Sequence, residues 1–196
     1  RGIFLPHEII GLDTPGDLDK ETPISEVEGS DFFTKDLDQA LRDGRIDCAV
    51  HSAKDLPDEM PDRLEAAVMT PSLESADALV SKDHLKLREL PAGSRIGVSS
   101  ERRKEQVKRL RPDLKILDIR GTIEERLKQL DDGGYDAVII AAVALLRLGL
   151  EKRVTAKLDK NIFRPHPLQG RLAVLVRKGD PLKEIFSILA EEAIHA

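Results

Sequence analysis

Short apolar runs alternate with segments of helical periodicity along most of this chain. IDCAV (46–50), SRIGVSS (94–100) and RLAVLVRKG (171–179) have the length and composition of buried strands. The intervening segment 122–133 instead carries apolar residues three or four positions apart, as an amphipathic helix does. This alternation predicts an α/β protein with a mostly parallel sheet.

Capping residues mark the ends of the predicted helices. In the first helix, Phe33, Leu37 and Leu41 share one face, Ser30 or Asp31 can cap the start, and Gly44 follows the end.

Three further helix boundaries are predicted in the same way. Ser99 or Ser100 can cap the helix ERRKEQVKRL, and Thr122 can cap the next one. The run AVIIAAVALL (137–146) starts as a strand and turns helical before Arg147.

Composition limits the classes of function. The 196 residues are 40% hydrophobic and 34% charged with a net charge of −5, and aromatic residues make up 3%. An acidic chain with few aromatics argues against nucleic-acid binding. No apolar run reaches the roughly 18 residues of a membrane span, and no secretion signal is visible, so we expect a cytoplasmic protein that binds no membrane. The single cysteine, Cys48, excludes an intrachain disulfide, and its apolar neighbours favour a buried structural thiol.

A charged pair follows the first predicted strand. In VHSAKDLP (50–57), His51 and Ser52 lead into Lys54 and Asp55. In open α/β sheets, ligands bind at the carboxyl ends of strands. The pair is therefore a candidate functional site.

Two arginines stand at an unusual place in the second half. Arg102 and Arg103 lie in the first turn of a predicted helix, where the helix dipole disfavours cations. Ser99 and Ser100 precede them. Helix N–H groups, hydroxyls and guanidinium groups together can bind an anion. The spacing alone predicts a site for a small polyanion.

Four segments resemble the hydroxymethylbilane synthase family, also called porphobilinogen deaminase. They are VHSAKDLPDEMPDRLE (50–65), LPAGSRIGVSSERR (90–103), the segment from RPDL to LEKR (111–153) and LQG (168–170). These follow the family's order HS-x-KD-x-P, LPAGS with SS-x-RR, RPDL with RG, YDA with RLGL, and GQG. The family joins porphobilinogen units head to tail and releases ammonia, so the resemblance implies a transferase of porphyrin and heme biosynthesis.

The resemblance implies a role for each matching residue. Asp55 matches the catalytic carboxylate, which holds pyrrole N–H groups and stabilises the cationic azafulvene formed when ammonia leaves. Seven residues match groups that bind the carboxylates of the substrate and of the dipyrromethane cofactor, in addition to Lys54: Ser99, Ser100, Arg102, Arg103, Arg120, Arg126 and Arg147. Four match supporting positions: His51 and Ser52 in the turn, and Gln169 and Gly170 at the return crossing between domains. No metal is implied.

The resemblance also implies a domain arrangement. It has two domains like type II periplasmic binding proteins with the ligand cleft between them, and two crossovers that serve as hinges. Residues 1–70 plus 168–196 would form domain 1, with Lys54 and Asp55, and residues 71–167 would form domain 2, with the basic carboxylate-binding face.

The sequence departs from the family pattern in several places. The T-R-x-S motif of the family's N-terminus has no match, Pro15 replaces an arginine, EGSDFF lacks a lysine, Glu101 lies among the arginines, and Leu168 replaces a glycine. The family's third domain carries the cysteine that attaches the dipyrromethane cofactor, and we expect neither in this chain. Cys48 aligns inside a strand and is not expected to substitute for that cysteine.

Two interpretations follow. The chain is the first two domains of a synthase whose third domain lies in the same or another chain, or it is a divergent, non-catalytic relative that binds a linear tetrapyrrole or another polycarboxylate. The Lys54–Asp55 pair favours the enzyme, because a simple carboxylate binder has no need of the aspartate. The lost basic residues favour the binder.

Overall fold

The chain forms two compact units. A computed structural model describes residues 6–12, 14, 32 and 34–194. From residue 34 onward, unit 1 contains residues 34–72 and 171–194, and unit 2 contains residues 73–170. The predicted caps Ser30 and Asp31, together with Pro15 and Phe33, lie outside the described residues.

Unit 1 is built on an antiparallel sheet with strand order β1-β8-β2. Its strands are β1 (Ala49–Ser52), β2 (Leu64–Met69) and β8 (Leu172–Arg177). Both neighbours pair with β8, whose four central residues, AVLV, are apolar and buried. The turn that follows β1 is therefore fixed by a strand in the middle of the sheet.

Among the described residues, unit 1 contains the helices α1 (Lys35–Arg42) and α5 (Leu182–Ile194). The first begins after Thr34, which occupies the N-cap position, and places Leu41 in a core with Ala49, Leu64 and Leu175. Leu37 packs against the same core, so the described part of the predicted apolar face, Leu37 and Leu41, faces the interior.

Unit 2 contains a five-stranded sheet in the order β5-β4-β6-β3-β7. Its strands are β3 (Asp77–Ser81), β4 (Arg95–Gly97), β5 (Lys115–Leu117), β6 (Ala137–Ala141) and β7 (Ala156–Lys157). Every residue of β3 and β6 is buried, and apolar clusters cover both faces of the sheet.

In its described part, unit 2 contains the helices α2 (Glu101–Leu110), α3 (Ile123–Asp131) and α4 (Ala142–Arg147). Thr122 caps α3 as predicted, in a reciprocal pair with Glu125. Ser100 is the N-cap residue of α2, but its side chain makes no capping hydrogen bond. The change from strand to helix before Arg147 is also confirmed.

The prediction of a mostly parallel sheet is wrong. Among the described strands, β4 pairs in parallel with β5 and β6, whereas the other four pairings are antiparallel. The parallel strands are those joined by α2 and α3, as the βαβ rule requires. The antiparallel pairings all involve β3 or β8, the strands that follow the two crossings of the chain between the units. Sequence periodicity does not show the direction in which such a strand enters its sheet.

Within the described part of the chain, none of the helices combines the length and the apolar character that crossing a membrane requires.

Candidate functional site

The Lys54–Asp55 turn follows β1 directly. It is one turn of 3-10 helix, Ala53–Asp55. Ala53 is fully buried, and its N–H donates to the carbonyl of Arg171 at 3.1 Å. The turn is thereby tied to the strand next to β1. Lys54 is half-buried and Asp55 is exposed, so the carboxylate is accessible to a ligand.

His51 lies in β1 beneath this turn. It is 6% exposed, and its Nε2 is 3.8 Å from Oδ1 of Asp38, which is 1% exposed. Burial lowers the pKa of His51, while the carboxylates of Asp38 and Asp55 act in the opposite direction. The imidazole is therefore neutral near pH 7.

Cys48 precedes the same strand and is half-buried. Burial raises the pKa of its thiol, and the carboxylates of Asp47 and Asp180 raise it further. A raised pKa leaves little thiolate at neutral pH, which makes this thiol a weak nucleophile.

The arginine turn, defined here as residues 99–103, joins β4 to α2 in unit 2. Val98 N–H donates to the carbonyl of Leu117 at 2.9 Å, which continues the strand pairing up to the turn. The hydroxyl of Ser99 is buried and donates to the carbonyl of Ile119 at 3.0 Å. Among the described residues, the buried Oγ of Ser100 has no hydrogen-bond partner.

Arg103 points into the interior of unit 2. It is 4% exposed, and its Nε and Nη2 donate to Oδ1 of Asp77 at 3.0 and 2.6 Å. Nη2 also donates to Oε1 of Gln169 at 3.1 Å. Asp77, which is fully buried at the start of β3, is therefore the anion that compensates this cation in the first turn of α2.

Arg102 has different surroundings. Its side chain is 28% exposed, and Nη2 lies 3.6 Å from Oδ2 of Asp77, beyond hydrogen-bond distance. Nη1 donates to the carbonyl of Arg164. Gln106 holds the same segment, since its Oε1 accepts from Arg164 N–H at 2.5 Å.

Arg126, which lies on α3, contacts the arginine turn. Its Nη1 donates to Oγ of Ser99 at 2.7 Å, and its Nε donates to the carbonyl of Gly121 at 2.8 Å. Arg120, at the end of the preceding connection, is half-buried, and its carbonyl accepts from Nε2 of Gln129. Two of the predicted residues, Ser99 and Arg126, are thus in direct contact.

Arg147 ends α4 and is exposed. Its Nη2 donates to the carbonyl of Gly170 at 3.0 Å. Leu73 N–H donates to that same carbonyl at 3.3 Å. The carbonyl of Gly170 therefore links Arg147 to Leu73, where the chain enters this part of unit 2.

The comparisons with known proteins identify the family. The family model described as "Porphobilinogen deaminase, dipyromethane cofactor binding domain" matches residues 3–184. A porphobilinogen deaminase from Xanthomonas euvesicatoria pv. vesicatoria is 42% identical over 186 residues, which cover 93% of this chain and 59% of that protein. One from Xanthomonas oryzae pv. oryzae is 41% identical over 182 residues, with the same coverage.

This chain belongs to the porphobilinogen deaminase family. It spans about three fifths of the length of the curated relatives it matches.

Two solved structures show the fold. A pheromone precursor/lipoprotein of the YaeC family from Enterococcus faecalis has a TM-score of 0.53 and 18% identity, covering 78% of this chain and 73% of that chain. A lipoprotein from Bacillus subtilis has a TM-score of 0.50 and 16% identity, covering 80% and 74%. The predicted fold, like that of type II periplasmic binding proteins, is confirmed for this porphobilinogen deaminase family member.

The sequence did not reveal Asp77 as part of the site. A signal was present, because ADALVS places a carboxylate in an otherwise apolar strand, and a fully buried aspartate requires a partner. The family pattern contains no indication of which arginine that partner is.

Proposed function

We propose that this protein acts in the head-to-tail joining of porphobilinogen units into a linear tetrapyrrole, with release of ammonia. The observation that carries the proposal is the exposed Asp55 beside Lys54 at the end of β1, in a chain of the porphobilinogen deaminase family.

Asp55 is the proposed catalytic group. Loss of ammonia from porphobilinogen leaves a cationic azafulvene, and a carboxylate held against it stabilises the developing charge. Because Asp55 is exposed, its carboxyl group is accessible before substrate binds. The neighbouring Lys54 would attract the acetate and propionate groups of the pyrrole.

The residues of the arginine turn fit a carboxylate-bearing group such as dipyrromethane. The buried Ser100 hydroxyl is an unused hydrogen-bond donor within the described residues, and Arg102, two positions along the same turn, has a partly exposed guanidinium. These two residues would hold a carboxylate of the cofactor. Dipyrromethane, when bound, primes the growth of the pyrrole chain.

The domain division belongs to the same proposal. Residues 1–70 plus 168–196 would form the domain that carries Asp55, and residues 71–167 the domain that carries the arginine turn. The third domain and a cytoplasmic location stay predictions.

A non-catalytic relative that binds a linear tetrapyrrole or another polycarboxylate is the second candidate. The exposed Glu101 favours it, because this residue adds a carboxylate to the middle of the arginine turn. The ammonium group of Lys104 lies 3.6 Å from Oε2 of Glu101 and offsets part of that negative charge.

Substitution of Asp55 separates the two candidates. Asp55→Asn should abolish formation of the linear tetrapyrrole and leave the affinity for porphobilinogen within about threefold, since the amide keeps the shape and loses the charge. Asp58→Asn, an exposed aspartate three residues along, is the matched control and should retain full turnover. Unchanged turnover in Asp55→Asn would exclude Asp55 as the catalytic carboxylate.

A further inference from the structure

Asp77 occupies a rigid and fully buried position. It starts β3, where it pairs in register with Ala141 of β6, and its carbonyl accepts from Leu158 N–H at 2.8 Å. The backbone is therefore held on both sides. A carboxylate at such a place is costly unless cations and donors surround it.

Arg103 and Gln169 supply those donors. Arg103 uses Nε and Nη2, and Gln169 Nε2 donates to the same Oδ1 at 2.9 Å and to the carbonyl of Ser75 at 2.6 Å. A guanidinium only donates, so the amide oxygen of Gln169 must face Arg103, as it does at 3.1 Å. The side chains of Asp77, Arg103 and Gln169 thus form one hydrogen-bonded network. Within it, Nε and Nη2 of Arg103 both donate to protein acceptors.

Arg102 takes part in the network more weakly. Its shortest described approach to Asp77 is the 3.6 Å between Nη2 and Oδ2, and it is 28% exposed, compared with 5% for the side chain of Arg103. Both guanidinium groups face the same carboxylate. The short ion pair holds Arg103 in the interior, whereas Arg102 is the more exposed of the two.

We propose that Asp77 is a positioning residue for the arginine turn. It holds Arg103 inside unit 2 as an anchor, with Gln169 completing the anchor, and so presents Arg102 rather than Arg103 to an anionic ligand. The identity of that ligand as a pyrrole carboxylate rests on the proposed function, whereas the division of roles between the two arginines rests on the network alone.

Arginine modification tests the division of roles without any ligand. The full chain is treated with phenylglyoxal, and the rates at Arg102 and Arg103 are resolved by peptide mass spectrometry. In the unsubstituted protein, Arg102 should react at least tenfold faster than Arg103. Asp77→Asn should raise the rate at Arg103 at least tenfold. Asp118→Asn, which removes an exposed carboxylate paired with Lys104 of the same helix, should leave it unchanged.

The contrary results are specific. Equal rates at the two arginines in the unsubstituted protein, or continued protection of Arg103 in Asp77→Asn, would overturn the proposal. If Asp77→Asn does not fold, Gln169→Ala takes its place, since it removes one acceptor of Arg103 and leaves the ion pair. Gln169→Ala should raise the rate of phenylglyoxal modification at Arg103 severalfold. A rate equal to that in the unsubstituted protein would overturn the role of Gln169 as part of the anchor.

Porphobilinogen affinity, measured by calorimetry, tests the consequence for binding. Arg102→Ala and Asp77→Asn should each raise the dissociation constant about tenfold, the loss of one charge-assisted hydrogen bond. Asp118→Asn should not raise it. Unchanged affinity in Asp77→Asn, with binding intact in the unsubstituted protein, would contradict the positioning role. Absence of binding in the unsubstituted protein would count against the proposed function, and the modification rates would still decide the roles of the two arginines.

Discussion

Arg103 and Asp77 form a buried ion pair in which Nη2 lies 2.6 Å and Nε 3.0 Å from the same carboxylate oxygen. Removing one partner leaves an uncompensated charge in the interior of unit 2. Arg103→Met should therefore lower the free energy of unfolding by about 3–5 kcal/mol, measured by urea denaturation. Arg109, exposed on the same helix with one hydrogen bond to the carbonyl of Ile162, is the control. Arg109→Met should cost less than about 1 kcal/mol, and an equal loss in both variants would contradict the assigned burial.

His51 should make stability depend on pH. Burial lowers its pKa in the folded protein, so below the ordinary value of 6.5 the unfolded chain binds a proton more readily than the folded one. Stability is then full above about pH 6.5 and is lost as the pH falls through the folded pKa. Between pH 7 and pH 5, the free energy of unfolding should fall less in His51→Gln than in the unsubstituted protein.

An exposed histidine gives the matched control for that measurement. His84→Asn should leave the pH dependence as it is, and asparagine tolerates the positive φ of 54° at this position. The same pH dependence in His51→Gln as in the unsubstituted protein would show that His51 is not the titrating group.

The two helix starts in unit 2 should respond differently to loss of a hydroxyl. Thr122 accepts from Glu125 N–H at 3.2 Å, and Glu125 accepts in return from Thr122 N–H at 2.8 Å. Thr122→Ala should cost about 1 kcal/mol of unfolding free energy. Ser100 makes no such bond to α2, and its hydroxyl is buried, so Ser100→Ala should leave stability unchanged or raise it. A loss equal to that of Thr122→Ala would mean that Ser100 caps α2 in solution.

A side chain at Gly121 should destabilise the protein. Its φ is +100°, and a Cβ there would lie 2.5 Å from Oε2 of Glu125, the oxygen that completes the cap of α3. Gly149, with a φ of +67° and open space around it, isolates the backbone contribution. Gly149→Ala should cost about 1 kcal/mol, and Gly121→Ala about 1–3 kcal/mol more. Thermal unfolding of both variants measures the difference, and equal losses would exclude the clash with Glu125.

Local features of the fold could be predicted from the sequence. The capped start of α3 at Thr122 and the turn after β1 depend on neighbouring residues, and both are present. The same reasoning named Ser99 or Ser100 as a hydroxyl cap of α2. It could not show that the hydroxyl of Ser99 bonds instead to Ile119 and Arg126, which are distant in sequence.

The candidate site was predicted as a set of residues but not as a set of contacts. Arg102 and Arg103 are adjacent in sequence and match one motif, so sequence reasoning gave them one role. Their side chains leave the helix about 100° apart. Arg103 donates to Asp77, 26 residues away, and Arg102 donates to the carbonyl of Arg164. Contacts of this kind depend on how β3 enters the sheet, which is also where the prediction of parallel strands was wrong.

The most direct test of the proposed function is the intact mass of the protein made from its native gene, recorded before and after porphobilinogen is added. We predict a mass that includes a dipyrrole, followed by a ladder of successive pyrrole additions. An unmodified mass that shows no ladder after porphobilinogen is added would contradict the proposed activity and leave polycarboxylate binding as the function of the arginine turn.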